Sequence, residues 1–247
     1  MNRDKPLRML TTKDTIDQIV SCDGNAAHLL NSIGLNPDHY QGRSLQSVCF
    51  ELQWNEEELL SWIKKHYSEA ECPTNHQEEP DCDDDIVTWC NWLEDSLNLC
   101  ICSLANDIAR DLPWVHQIHG NQYTGLKSIA WQFNSLKKHL ERYLALEKET
   151  LFPLAKELNF QKESILYGKA RKLERSMDVL DEDRPKIAGA MKKLRDISDG
   201  FSHPAGSCTT LRITNKNLSD LDRQLNGYFR VEEEQLWPLI KHQLQTA

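Results

Sequence analysis

Along most of the chain, apolar residues return every three or four positions, the spacing that lines one face of an α-helix. Ile129, Phe133, Leu136, Leu140, Tyr143, Glu147 and Leu151 form one such stripe. Leu173, Met177, Leu180, Arg184, Ile187, Met191 and Leu194 form a second, and Leu218, Leu221, Leu225, Tyr228, Glu232 and Leu236 a third. Another helix is predicted from Ile86 toward Asp111, with a bend near Pro113, whose ring nitrogen has no hydrogen to give the helix. From residue 86 onward no strand pattern competes with this period. The expectation is an all-α fold in which residues 86–247 make an antiparallel four-helix bundle with the stripes turned to its core.

Upstream, residues 12–67 read as three or four short helices: TTKDTIDQIV, GNAAHLLNSIG closed by Gly34, SLQSVCFELQ, and NEEELLSWIKKH, where Asn55 before three acids is a good helix start. Residues 1–68 are therefore expected as a small N-terminal helical domain. Residues 69–85, EAECPTNHQEEPDCDDD, are acidic, carry two prolines and lack periodicity, which predicts a linker.

Composition narrows the classes of function. At 39% hydrophobic and 27% charged residues, the 247-residue chain is not a mostly disordered one. A net charge of −9 without a basic stripe repels a phosphate backbone, so nucleic acid is not expected as a partner. No apolar run approaches the roughly 20 residues that span a bilayer. The start, MNRDKPLRMLTTKD, lacks the apolar stretch of a signal peptide, which together predicts a cytoplasmic protein away from membranes. Cysteines in such a compartment are expected as reduced thiols. Five of the eight (Cys72, Cys82, Cys90, Cys100 and Cys102) fall close together, but in no zinc-binding pattern; a thiol-based sensor is the functional option they leave.

What interrupts the stripes is more informative. Glu147, Arg184 and Glu232 stand where leucine is expected, and an unpaired charge in a bundle core costs several kcal/mol. They are expected to meet one another or a metal. An internal repeat sharpens this: Tyr143-Leu-Ala-Leu-Glu147 running to Pro153 matches Tyr228-Phe-Arg-Val-Glu232 running to Pro238, 85 residues later. A tyrosine four residues before a glutamate shares its helix face, so each repeat presents a phenol and a carboxylate together. Related by a pseudo-twofold, the two pairs face each other; the plainer alternative leaves them at a stripe edge with their polar ends in water.

These residues resemble the cytoplasmic iron–sulfur cluster repair di-iron proteins (the RIC or ScdA group), which join a short N-terminal domain to a hemerythrin-like bundle. The resemblance extends over nearly the whole chain. IDQIVSCDGNAAHLLNSIGLNPDHYQGRSLQSVC is similar to the family's small domain, with Asp38-His39-Tyr40-Gln41 where the family has Cys-Cys-Gly-Gly. The endings Leu151-Phe152-Pro153 and Leu236-Trp237-Pro238 resemble the family's paired His-x3-Glu helices, with Glu147 and Glu232 at the two bridging glutamates. Tyr143 and Tyr228 stand where the family has histidines, His119 matches its second-helix histidine, Arg184 replaces the third-helix one, and the first falls near Asn98.

Because a guanidinium stays protonated and cannot ligate a cation, the first expectation is a site without cofactor. In it Arg184 forks between Glu147 and Glu232, Tyr143 and Tyr228 complete the hydrogen bonds, and a protonated His119 balances the charge. The alternative retains iron, held by His119, Glu147, Glu232 and one or both of the phenolates of Tyr143 and Tyr228. His139, one turn before Tyr143, reads as part of a solvated face, and His116 and His203 as surface or loop groups. The resemblance thus implies a non-enzymatic regulatory or binding protein of stress and nitric-oxide responses. The alternative is an iron-binding protein for cluster repair or for handling nitric oxide or oxygen. It also implies a homodimer; no feature of the sequence names a protein partner.

Overall fold

The computed structural model describes residues 10–22, 26–68, 79–81, 84–160, 167–204 and 206–246. Their regular elements are all helices. The only strand-like contact among them is an isolated bridge between Thr15 and Ser44. Two compact units are distinguished: Met1–His76 with Phe201–Ser219, and Gln77–Gly200 with Asp220–Ala247. The stretch 201–219, which the periodicity assigned to the bundle, thus clusters with the N-terminal residues.

The first unit contains α1 (Ile16–Cys22), α2 (Ala26–Ser32), a 3-10 turn (Pro37–Tyr40), α3 (Leu45–Leu52) and α4 (Glu56–Ser68). Their starts are set by side chains that accept orphan backbone N–H groups: Ser44 from Ser47, and Asn55 from both Glu57 and Glu58. The core gathers Ile16, Ile19, Leu30, Ile33, Leu35 and Leu45, with Ile213 joining from the later segment. Gly34 turns the chain after α2 with a φ of +84°, a region that favours glycine. Arg212 donates from Nη1 to the Ile33 carbonyl at 3.0 Å and lays its guanidinium 4.9 Å from the Trp54 ring centre. The Pro37–Tyr40 turn, which overlaps Asp38-His39-Tyr40-Gln41, begins with Asn36 accepting from the Asp38 N–H.

The second unit is built from four helical rods of an antiparallel bundle. The first comprises α5 (Ile86–Trp92), a π turn (Leu93–Asn98) and α6 (Leu99–His119). The second comprises α7 (Gly125–Leu146), a π turn (Glu147–Leu151) and α8 (Phe152–Phe160). The third is α9 (Tyr167–Ile197), and the fourth the later part of α10 (Thr209–Val231), a π turn (Glu232–Leu236) and α11 (Trp237–Thr246). α7 packs on α6 and α9, and α8 on α5 and α11. The stripe residues Phe133, Leu136, Leu180, Ile187, Leu221 and Leu236 are fully enclosed. Among the described residues, no helix is long and apolar enough to cross a membrane.

The helix expected to stop near Asp111 runs on to His119 with Pro113 inside it. Pro113 is on the exposed side, so the carbonyl it leaves unbonded is near water, while Leu112 and Val115 continue the buried stripe. Packing outweighs one missing hydrogen bond. The π turns were not anticipated. In two of them a glutamate leads and a proline follows six residues later, Pro153 after Glu147 and Pro238 after Glu232. Each proline withholds an N–H from the turn before it, and that turn widens so that Phe152 donates to the Glu147 carbonyl and Trp237 to that of Glu232.

Candidate functional site

The widened turns carry the two glutamates into the bundle interior, where both are 0% exposed. One turn earlier on the same helices, Tyr143 and Tyr228 are equally enclosed. The pairing is crossed. Tyr143 Oη donates to Glu232 Oε2 at 2.6 Å, and Tyr228 Oη donates to Glu147 Oε2 at 2.7 Å, so each phenol serves the acid of the other repeat. Both distances are at the short end of the O–H···O range. Phe229 stands edge-on to both phenols, with ring centres 5.6 Å from Tyr143 and 6.2 Å from Tyr228.

Arg184 reaches the cluster from α9, but not as a fork between the acids. Its Nη2 lies 3.5 Å from Glu232 Oε2, the outer edge of a hydrogen bond, and its Nη1 lies 3.4 Å from Asp181 on its own helix. The reason is aromatic packing: the guanidinium carbon sits 5.0 Å from the Trp237 ring centre and 5.7 Å from that of Phe229. Packed against these rings, Arg184 addresses Glu232 and not Glu147 of the two buried acids.

His119 is not brought to the cluster. It ends α6, with the carbonyl accepting from the N–H groups of Gln122 and Tyr123 and the ring 5.9 Å from that of Tyr123. The 22-residue α7 lies between that turn and Glu147, a rise of about 33 Å. The imidazole therefore cannot balance the acids as the sequence suggested. Asn98, where the first-helix histidine was expected to fall, closes its π turn buried, with Oδ1 lacking a donor.

Oε1 of Glu147 and Oε1 of Glu232 have no donor while both acids are ionised, and among the described residues one cation, Arg184, lies within ion-pair distance of Glu232. Burial, reinforced by the Glu232 charge, pushes Glu147 well above the ordinary carboxylic-acid range. Glu232 is raised as well, by burial, although the hydrogen bond with Glu147, the Arg184 charge and the Tyr143 hydroxyl pull the other way. Glu147, raised further than Glu232, is accordingly the acid more disposed to hold a proton, and the two carboxyls interact directly. With one proton on the pair, one negative charge would face one guanidinium. Burial raises both phenols well above their usual range, so they remain neutral donors.

This donor set does not fit the di-iron centre that the resemblance implied. Both phenols spend their hydrogens on the acids, a cation lies against Glu232, and among the described residues no imidazole joins them. Among the described residues, no group of three or more His, Cys, Asp or Glu is placed to hold a metal ion. Of the thiols in question, Cys90 is buried and pushed by burial to about 12, Cys100 is half-buried and Cys102 exposed. Cys72 and Cys82 lie outside the described residues. His203 is in a loop as expected, yet its Nε2 is 3.0 Å from the Ser32 carbonyl rather than in water.

Three participants escaped the sequence reading: Trp237, Phe229 and Asp181. The repeat contained the signal for the first two, because Trp237 and Phe229 occupy the positions of Phe152 and Leu144. Larger rings in one half only provide the flat surfaces on which Arg184 rests.

No protein-family model matches the chain. Over 124 residues it is 23% identical to the iron-sulfur cluster repair protein YtfE of Edwardsiella ictaluri (strain 93-146), a match covering 50% of the chain and 52% of the relative. The chain therefore spans about half the length of the curated relative it matches. With its all-helical bundle and that shared stretch, the chain is a distant homologue of the iron-sulfur cluster repair protein YtfE.

Proposed function

We propose that this protein is a non-enzymatic regulatory or binding member of the iron–sulfur cluster repair group, in which a proton, a guanidinium and two phenols do the structural work of a metal centre. The observation that carries the reading is the crossed pairing of Tyr143 with Glu232 and Tyr228 with Glu147, at 2.6 and 2.7 Å, beside Arg184. Both phenol hydroxyls beside the acids are already engaged. An incoming divalent ion would have to displace two short hydrogen bonds, expel a shared proton and face a guanidinium that stays charged.

The competing reading, an altered iron site serving cluster repair or the handling of nitric oxide or oxygen, draws on one observation. Oε1 of Glu147 and Oε1 of Glu232 are both buried without a conventional donor, which is how two bridging carboxylates look before a cation arrives. A single proton between them meets the same need at less cost in desolvation.

Thermal unfolding separates the two, because a ligand that binds only the folded state raises its stability. The melting temperature is expected to be the same in chelator and in anaerobic ferrous iron. A rise with ferrous iron that Glu147→Gln abolishes would replace this reading with the iron one.

A further inference from the structure

Tyr143 and Tyr228 are related by the repeat, yet their acceptors differ. Tyr143 donates to Glu232, the acid beside Arg184, and Tyr228 to Glu147, which no cation approaches within ion-pair distance among the described residues. A cation favours the ionised form of the carboxyl it faces, so Glu232 is the carboxylate and Glu147 the acid. One phenol therefore rests against a base and the other against a group that already holds its proton.

This difference bears on electron loss. An oxidised phenol is a strong acid, and it is reached most easily when the proton can leave in the same step to a base within hydrogen-bond reach, about 2.6–3.2 Å. The Tyr143–Glu232 contact, at 2.6 Å, meets that condition. The product is sheltered as well: the ring is 1% exposed and Phe229 covers it edge-on. Asp181, 3.4 Å from Arg184 Nη1, leaves the guanidinium with a counter-charge once Glu232 is neutralised. The core of a bundle is about one helix diameter from its surface, ~10–12 Å, a span that electrons tunnel without an open channel.

We propose that Tyr143 is a redox-active tyrosine, oxidised by one electron to a neutral tyrosyl radical as its phenolic proton moves to Glu232. The O–H bond of Tyr143 breaks, an O–H bond forms at Glu232 Oε2, and the electron reduces an outer-sphere oxidant of the small oxygen-centred radical class, as when the carbonate radical becomes carbonate. Tyr228 does not react in this way, since Glu147 would have to accept a second proton. The inference rests on the metal-free reading of the site.

The test is photo-oxidation of the whole protein by flash-generated ruthenium(III) tris-bipyridine, after its metal content has been measured, with electron paramagnetic resonance and transient absorption as readouts. A long-lived tyrosyl signal is expected in the wild type and in Tyr228→Phe, formed more slowly in heavy water and lost in Tyr143→Phe. Should Tyr143→Phe fold poorly, 3-fluorotyrosine placed at position 143 of the otherwise native chain assigns the signal by its fluorine splitting. Metal-free protein that gives no long-lived signal, or one indifferent to position 143 or equally dependent on Tyr228, overturns this inference alone. Stoichiometric metal before photolysis overturns the parent reading, and this one with it.

Discussion

Tyr143 and Glu232 are 89 residues apart in the chain and 2.6 Å apart in the bundle core, and the same exchange is made in reverse by Tyr228 and Glu147. The hydroxyls are thus the cheapest place to disturb the cluster. Tyr143→Phe keeps the ring and removes a hydrogen bond to an ionised group, an expected loss of about 1.5–3 kcal/mol. Tyr228→Phe removes one to a neutral acid, an expected loss of about 0.5–1.5 kcal/mol. Urea unfolding of both variants and of the double variant measures this. Because the acids share a proton, the double variant should lose less than the sum, and strict additivity would mean that the two pairs do not communicate.

Arg184→Leu leaves Glu232 as a buried carboxylate without its cation. A fully enclosed pair broken this way costs about 3–5 kcal/mol, but the Arg184 side chain keeps 16% exposure, so about 1–3 kcal/mol is expected at neutral pH. The cost should shrink as pH falls and Glu232 takes up a proton. Chemical denaturation at two pH values checks it; a loss that is independent of pH would mean that Arg184 acts only through its stacking on Trp237.

Stability should also fall as the solution becomes alkaline. Glu147 is raised above its ordinary 4.5 by burial first and the Glu232 charge second. The folded chain therefore binds more protons than the unfolded one from about 4.5 upward, and the stability this proton contributes, full below 4.5, is lost as pH rises through the folded value. Asp183 works in the opposite sense. Burial would raise it, but Lys186 and Arg142 prevail and lower it from 3.8, so its contribution is present above 3.8 and lost as pH falls through the lowered value. Melting temperature against pH should have its maximum on the acidic side of neutrality, and Glu147→Gln, which mimics the protonated acid, should flatten the alkaline limb. An unchanged limb in that variant would place the shared proton elsewhere.

In the first unit, Gly34→Ala is expected to cost about 1–3 kcal/mol, because alanine is strained at a φ of +84° and its Cβ would come 2.6 Å from Arg212 Nη1. Hydrogen exchange should show faster opening of α2 and α4 in the variant. Unchanged protection there would mean that the Arg212–Ile33 bond is dispensable.

How much of this was legible beforehand follows from what each signal encodes. The stripes through Phe133, Leu180 and Leu221 encode burial directly, and those residues are buried. The repeat revealed that two phenols and two acids share the interior, since pairing partners recur with the period of the helix. It did not reveal that Arg184 serves one acid, because that depends on the rings of Trp237 and Phe229, which lie on another helix and follow no local period. His119 was misplaced for a similar reason. Likeness of sequence gave it a role, while its distance from Glu147 follows from the unbroken length of α7. Pro153 and Pro238 were read as helix endings, although the structure uses them to widen the turns that begin at the two glutamates.

The central claim, that a proton and a guanidinium stand in for metal between Glu147 and Glu232, is tested most directly by counting iron. Protein loaded anaerobically with ferrous iron, desalted and exposed to air should retain far less than one iron per chain and stay colourless. Near-stoichiometric iron with a visible tyrosinate charge-transfer band, lost in Tyr143→Phe or Tyr228→Phe, would contradict it.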